Sequence, residues 1–80
     1  MNKDEIGGQL NSIFQDVFQD NHLIIAREMT ALDVERWDSL SHIQLITEVE
    51  MAFGVKFKLR EVMNLKNVGD LIDLIHIKKV

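Results

Sequence analysis

Apolar side chains recur at Ile6, Leu10, Ile13, Phe14, Val17 and Phe18, the i, i+3, i+4, i+7 spacing that lays one stripe along a single face of an α-helix. A helix over residues 3–19 follows. The same periodicity returns after Asp38 and predicts a second helix from Ser39 to Phe53, ended by Gly54 as a C-terminal glycine stop. It returns again beyond Asn67, where Val68, Leu71, Ile72, Leu74 and Ile75 form the apolar face of a last helix. Asn67 is suited to cap that helix, with Asp70 three residues on in the position of a capping-box acid. A chain whose sustained periodicities are all helical folds by packing helices on one another.

The intervening stretches carry less pattern. From Asp20 to Trp37 apolar residues (Leu23, Ile24, Ile25, Met29, Leu32, Val34) are scattered between charges, and Thr30 and Asp33 offer local turn bonds. This reads as a long connection with one short helical turn, its apolar residues pinning it to the core. Connections of such length are uncommon in small domains and are often functional. Residues 55–59 alternate apolar and basic but have no strand to pair with, so they read as an extended connector into a short helix over 59–64. The expected fold is all-α: a bundle of three main helices and one short one, in a single domain spanning residues 1–80.

Eighty residues bury only a small core, roughly 60–65% of the unfolded surface. The absence of cysteine rules out a disulfide framework, a thiolate metal site and a cysteine nucleophile. The polar opening residues do not read as a signal peptide, and no apolar run approaches the ~20 residues of a membrane span, so a cytoplasmic, monomeric protein is expected. The net charge of −4 is unevenly placed, with three Lys/Arg against ten Asp/Glu in residues 1–53 and six against three in residues 54–80. Dispersed basic residues on an acidic chain make a poor nucleic-acid binder, and the acidic half fits a positively charged protein partner.

Asp38-Ser39-Leu40 places a serine hydroxyl where a loop becomes a helix. The first N–H groups of a helix lack intrahelical partners and carry the positive end of its dipole, which stabilises a phosphate ester there. Asp38 is a preferred N-cap residue. On the second helix, with Ser39 at zero and about 100° per residue, Leu45, Ile46, Val49, Ala52 and Phe53 share an arc from roughly 220° to 340° that faces the core. Leu40, Ile43 and Met51 fall in another arc, from roughly 40° to 120°, with Thr47 among them and Gln44 at its edge. This second stripe is expected to be partly exposed beside Ser39 and to receive partners. His42 projects near roughly 300°, on the core side, as a packing residue.

With these residues in hand, the chain closely resembles the acyl carrier proteins, a four-helix family. The resemblance rests on Asp38-Ser39-Leu40, then Ile43, Leu45, Ile46, Val49 and Phe53, and later Asn67-Val68-Gly69-Asp70-Leu71-Ile72, and it covers nearly the whole chain. It implies that Ser39 is the attachment site of a covalent 4′-phosphopantetheine arm, installed from coenzyme A by a phosphopantetheinyl transferase, whose thiol holds acyl groups as thioesters. It also implies that the second helix docks acyl-loading and acyl-transferring enzymes. Leu40, Ile43, Thr47 and Met51 would make contacts beside the arm, and Asp38, Glu48 and Glu50 would supply steering charge.

Carriers of general fatty-acid synthesis usually place an acid just after the motif and more along the second helix; here those positions are Ser41, Gln44, Thr47 and Met51. Trp37 before the aspartate and Ser41-His42-Ile43-Gln44-Leu45 after the leucine are similar to stand-alone carriers of dedicated lipid, polysaccharide or secondary-metabolite pathways. Arg36 stands where related sequences often have glycine.

Three other readings compete. An aminoacyl or peptidyl carrier shares the fold and the modified serine. An unmodified helical interaction module would bind through the Leu40/Ile43/Met51 stripe alone. A hydrolase would use Ser39, His42 and Asp38, but the chain has no Gly-x-Ser-x-Gly elbow. His22 and His76 form no metal-binding spacing.

Overall fold

The computed structural model describes residues 2–79. They form four helices in chain order: α1 (Lys3–Phe18), α2 (Ser39–Phe53), α3 (Leu59–Met63) and α4 (Val68–Lys78). α1 is the hub, packing against both α2 and α4. Its stripe enters the core as the spacing requires: Ile6, Leu10, Phe14 and Phe18 are buried, with Ile13 and Val17 partly buried against them. α2 contributes Leu45, Ile46, Val49 and Phe53, and α4 contributes Val68, Leu71, Ile72 and Ile75. Among the described residues the core contains no buried polar or charged residue, so apolar contact alone organises it.

Each helix start is closed locally. The Asn2 side chain accepts from the Glu5 amide at 2.8 Å, and the Glu5 carboxylate accepts from the Asn2 amide at 3.2 Å, a reciprocal box at the head of α1. α1 ends where Gln19 turns left-handed at φ 51°, and α2 ends at Gly54 with φ 66°, the glycine stop expected there. At α4 the expected capping box is altered. Asn67 does accept from the Asp70 amide at 2.8 Å, but the Asp70 carboxylate accepts from the Lys66 amide at 3.0 Å instead of returning to Asn67. The bond to Lys66 extends the cap one residue back into the α3–α4 connection.

The long connection forms no helix; where one short helical turn was expected, four successive turns carry it, closed by Leu23 N–H to Asp20 O, Met29 N–H to Ala26 O, Asp33 N–H to Thr30 O and Trp37 N–H to Val34 O. The Thr30–Asp33 bonds anticipated there are present, with the Thr30 amide donating to the Asp33 carboxylate at 2.9 Å. Val34 is buried and Leu23, Ile25 and Met29 are partly buried, pinning the connection to the core, whereas Leu32 is 97% exposed. The connection also caps α4: Met29 O accepts from Val68 N–H at 2.9 Å and Arg27 O from Gly69 N–H at 2.8 Å. Arg27 then reaches on to Asp73 at 3.0 Å, and Lys3 of α1 meets the same carboxylate at 3.1 Å. These two cations, Arg27 first, hold the Asp73 carboxyl below the usual carboxylate range.

Two expectations on α2 and α3 change. Ala52, placed on the core arc, is exposed: it lies at the edge of that arc, near roughly 220°, and Gln9 of α1 meets its carbonyl at 3.4 Å. α3 stops at Met63, with Asn64 as its C-cap. The connector before it is extended as expected, with Val55 buried and Phe57 half-buried. α3 begins with the Lys58 amide donating to Glu61 at 2.8 Å, and Lys78 of α4 pairs with the same carboxylate at 2.9 Å. No described helix is long and apolar enough to cross a membrane.

Candidate functional site

Ser39 is the first residue of α2 and is exposed. Its position follows from local chemistry on either side. The Asp38 carboxylate accepts from the Ser41 amide at 2.9 Å, while the Asp38 amide donates to Ser41 Oγ at 2.8 Å. The Ser41 hydroxyl in turn donates to Arg36 O at 2.8 Å, tying the last loop residues to the first turn. Asp38 and Ser41 thus close the helix start on themselves and leave the Ser39 hydroxyl without a protein partner among the described residues. The Ser41 amide, first among its hydrogen bonds, holds the Asp38 carboxyl below the usual carboxylate range despite some desolvation.

An open cleft of about 590 Å³ begins at Ser39. Trp37, Asp38, His42 and Ile43 form its α2 side, and Leu59, Val62 and Met63 of α3 stand opposite. Leu65, Lys66, Asn67 and Leu71 close it from α4 and the preceding connection, with Ala31 reaching in from the long connection. The volume is that of a small-molecule site, and most of the lining is apolar.

One aromatic assembly supports the cleft wall. Trp37 meets Phe14 edge-on at 5.3 Å and lies tilted against Phe18 at 6.1 Å. Its indole Nε1–H donates to His42 Nδ1 at 3.0 Å, with the two rings nearly parallel. His42 is therefore a half-buried residue, as its angular position suggested, but it is held by a polar contact rather than by packing alone.

The second stripe of α2 is at the surface: Leu40 is 77% exposed, Ile43 64% and Met51 73%, and Thr47 is exposed with its hydroxyl donating to Ile43 O at 2.9 Å. Leu40 and Ile43 lie one and four residues from Ser39, whereas Met51 is three turns along the helix. Glu48 is exposed. Glu50, expected to face partners, is instead half-buried, and its carboxylate accepts from the Phe57 amide at 2.8 Å. The reason is tertiary: the connector after Gly54 folds back on the helix and presents an amide that needs an acceptor.

The α3 residues Leu59 and Met63, 76% and 74% exposed, also belong to this surface and were not anticipated. Their i, i+4 spacing was visible in the sequence, but only the fold brings the short helix across from Ile43.

The arrangement fits a phosphate-linked arm. A hydroxyl at the first position of an α-helix is exposed, lies at the positive end of the helix dipole, and opens onto an apolar cleft. Comparison with known proteins agrees. The family profile described as a phosphopantetheine attachment site matches residues 9–75. The acyl carrier protein of Acidothermus cellulolyticus is 35% identical over 75 residues, covering 94% of this chain and 89% of that one. The solution structure of the holo acyl carrier protein from Geobacter metallireducens superposes with a TM-score of 0.84 at 46% identity, over 89% of this chain and 82% of the other. A protein of Mycobacterium tuberculosis described as a putative acyl carrier protein gives 0.81 at 28% identity, over 90% and 96%. The chain belongs to the phosphopantetheine-attachment family as an acyl carrier protein, and its cofactor is covalently bound 4′-phosphopantetheine.

Proposed function

We propose that Ser39 is the residue that carries the arm, and that the protein holds acyl intermediates as thioesters and presents them to the enzymes of a dedicated pathway in the cytoplasm. The observation that carries this reading is the free Ser39 hydroxyl at the head of α2, with Asp38 and Ser41 engaged in each other and the cleft opening beside it. Once attached, the arm supplies the terminal thiol that a cysteine-free chain lacks. The chain's own residues do the rest: Asp38 and Ser41 fix the helix start, the helix dipole stabilises the phosphodiester charge, and the cleft walls shield what the arm holds.

The protein acts as a carrier and not as a catalyst. The Trp37 indole donates to His42 Nδ1, so the neutral ring carries its proton on Nε2, the nitrogen a Ser–His pair would need as acceptor, and His42 meets Asp38 through its backbone amide, at 2.9 Å from Asp38 O. A phosphopantetheinyl transferase and the acyl-loading and acyl-transferring enzymes would approach over Leu40, Ile43, Thr47 and Met51, with Asp38 and Glu48 as the anionic groups on that helix. A pathway other than general fatty-acid synthesis is supported by the few carboxylates along α2, of which Glu50 is turned inward.

Intact mass spectrometry after incubation with coenzyme A and a broad-specificity transferase tests the attachment site. The wild type is expected to gain one phosphopantetheinyl unit and Ser39→Ala none, while the variant keeps the wild-type circular dichroism. Modification of Ser39→Ala would place the arm elsewhere.

A further inference from the structure

The wall of the cleft contains one polar device that attachment of an arm at Ser39 does not require. Trp37 Nε1–H donates to His42 Nδ1 at 3.0 Å, so Nδ1 offers its lone pair and the neutral ring carries its proton on Nε2. Packing of Trp37 on Phe14 and Phe18 fixes the indole, and the indole fixes the imidazole. The Nε2–H then has no hydrogen-bond partner among the described residues, on a half-buried ring that lines the same cleft as Ser39. Lys66, on the opposite rim, has no carboxylate within ion-pair distance among the described residues. Ile43, Val62 and Leu71 supply the apolar remainder.

An alkyl chain laid over His42 would cover a donor without pairing it, whereas a chain with an oxygen at that point would satisfy it. Polar groups placed in an apolar wall discriminate in this way, because the wrong ligand leaves them desolvated and unpaired.

We propose that His42, oriented by Trp37, is a cargo-binding residue whose Nε2–H donates to a hydroxyl or keto oxygen on the acyl chain, so that the cleft favours oxygenated acyl groups over plain alkyl ones. The proposal rests on the carrier reading. Its claim is about the class of cargo and about one named donor.

The test uses the full chain, loaded by the transferase from coenzyme A, butyryl-coenzyme A and 3-hydroxybutyryl-coenzyme A, with loading verified by intact mass. The Trp37 indole and His42 imidazole resonances are then recorded by ¹H–¹⁵N NMR in the three forms, for the wild type, His42→Phe and His42→Gln. The hydroxybutyryl form is expected to shift both resonances away from their butyryl positions. His42→Phe should abolish the difference at Trp37, and His42→Gln, which keeps an acceptor for the indole and a donor for the cargo, should retain it.

Identical spectra in the two acyl forms overturn the proposal, as does a difference that persists in His42→Phe. If His42→Phe fails to fold, the wild-type and His42→Gln spectra decide. Absence of any mass gain on the wild type overturns the carrier reading and this inference with it, whereas a mass gain with identical spectra overturns this inference alone.

Discussion

Gly69 and Glu50 each serve a contact that their own helix does not reveal. A Cβ on Gly69 would stand 3.1 Å from Arg27 O and 3.2 Å from Arg27 Cβ, so the glycine lets the long connection lie against the head of α4. Gly69→Val is expected to push Arg27 outward and to destabilise by about 1–3 kcal/mol in urea denaturation, as overpacked sites do. An unchanged midpoint would show that the connection yields without loss. Glu50 separates a structural carboxylate from a steering one. If its task is to accept from Phe57 N–H, Glu50→Ala should cost about 1 kcal/mol by stranding that amide, while Glu50→Gln, which still accepts, should cost much less. Equal losses in the two variants would make charge the important property. Asn67→Ala should remove about 1 kcal/mol through the lost cap of α4.

At the scale of elements, α2 has two apolar faces with different fates. Leu45, Ile46, Val49 and Phe53 are consumed by packing against α1 and its neighbours, and Leu40, Ile43 and Met51 are left at the surface. A charge introduced on the second face should disturb encounters rather than folding. Ile43→Asp is therefore expected to slow phosphopantetheinylation by the transferase several-fold while shifting stability by no more than about 0.5 kcal/mol. A large fall in melting temperature would assign Ile43 to the core. α3, only five residues long, has no fully buried residue; Val62 is partly buried against the core, and Glu61, which caps the helix at Lys58, pairs with Lys78 of α4. Its position on one side of the cleft depends on the Val62 and Lys78 contacts, since so short a helix has little stability of its own.

The molecule as a whole rests on one apolar core linked by a sparse set of exposed charges. Phe14 is fully buried and joins Phe18 and Trp37, so Phe14→Ala should cost about 3–5 kcal/mol, a large share of the stability of a domain this size. Near-ultraviolet dichroism of the variant would report loss of fixed packing around Trp37. The charges set the response to acid. Asp38, Glu61 and Asp73 all titrate below their ordinary values when folded, chiefly through the Ser41 amide, the Lys58 amide and the Arg27 guanidinium respectively. The unfolded chain therefore takes up protons first as pH falls. Their stabilisation is complete above the ordinary carboxylate range near pH ~4 and is lost as pH drops through the lower folded values. Melting temperature should fall steadily from pH 5 to pH 2, and Asp73→Asn should make that fall shallower. An unchanged slope would mean that the Arg27–Asp73–Lys3 contact contributes nothing in solution.

Helices α1, α2 and α4, their stripes and stops, and the exposed serine at the head of α2 were legible in the sequence, because each depends on residues within a turn or two of one another. Periodicity marks a buried stripe, Asp38 and Asn67 mark starts, and Gly54 marks an end by tolerating φ 66°. What lay outside the sequence involves partners far apart along the chain. The inward turn of Glu50 requires an amide seven residues on, and the cleft requires α3 to stand opposite Ile43. The Trp37–His42 bond is only five residues long, yet its geometry depends on Phe14 and Phe18 of α1 holding the indole in place. Local chemistry decided where each helix begins and which face it buries. Tertiary packing decided which leftover polar groups face one another, since a donor or acceptor is committed only when a distant element brings its partner within about 3 Å.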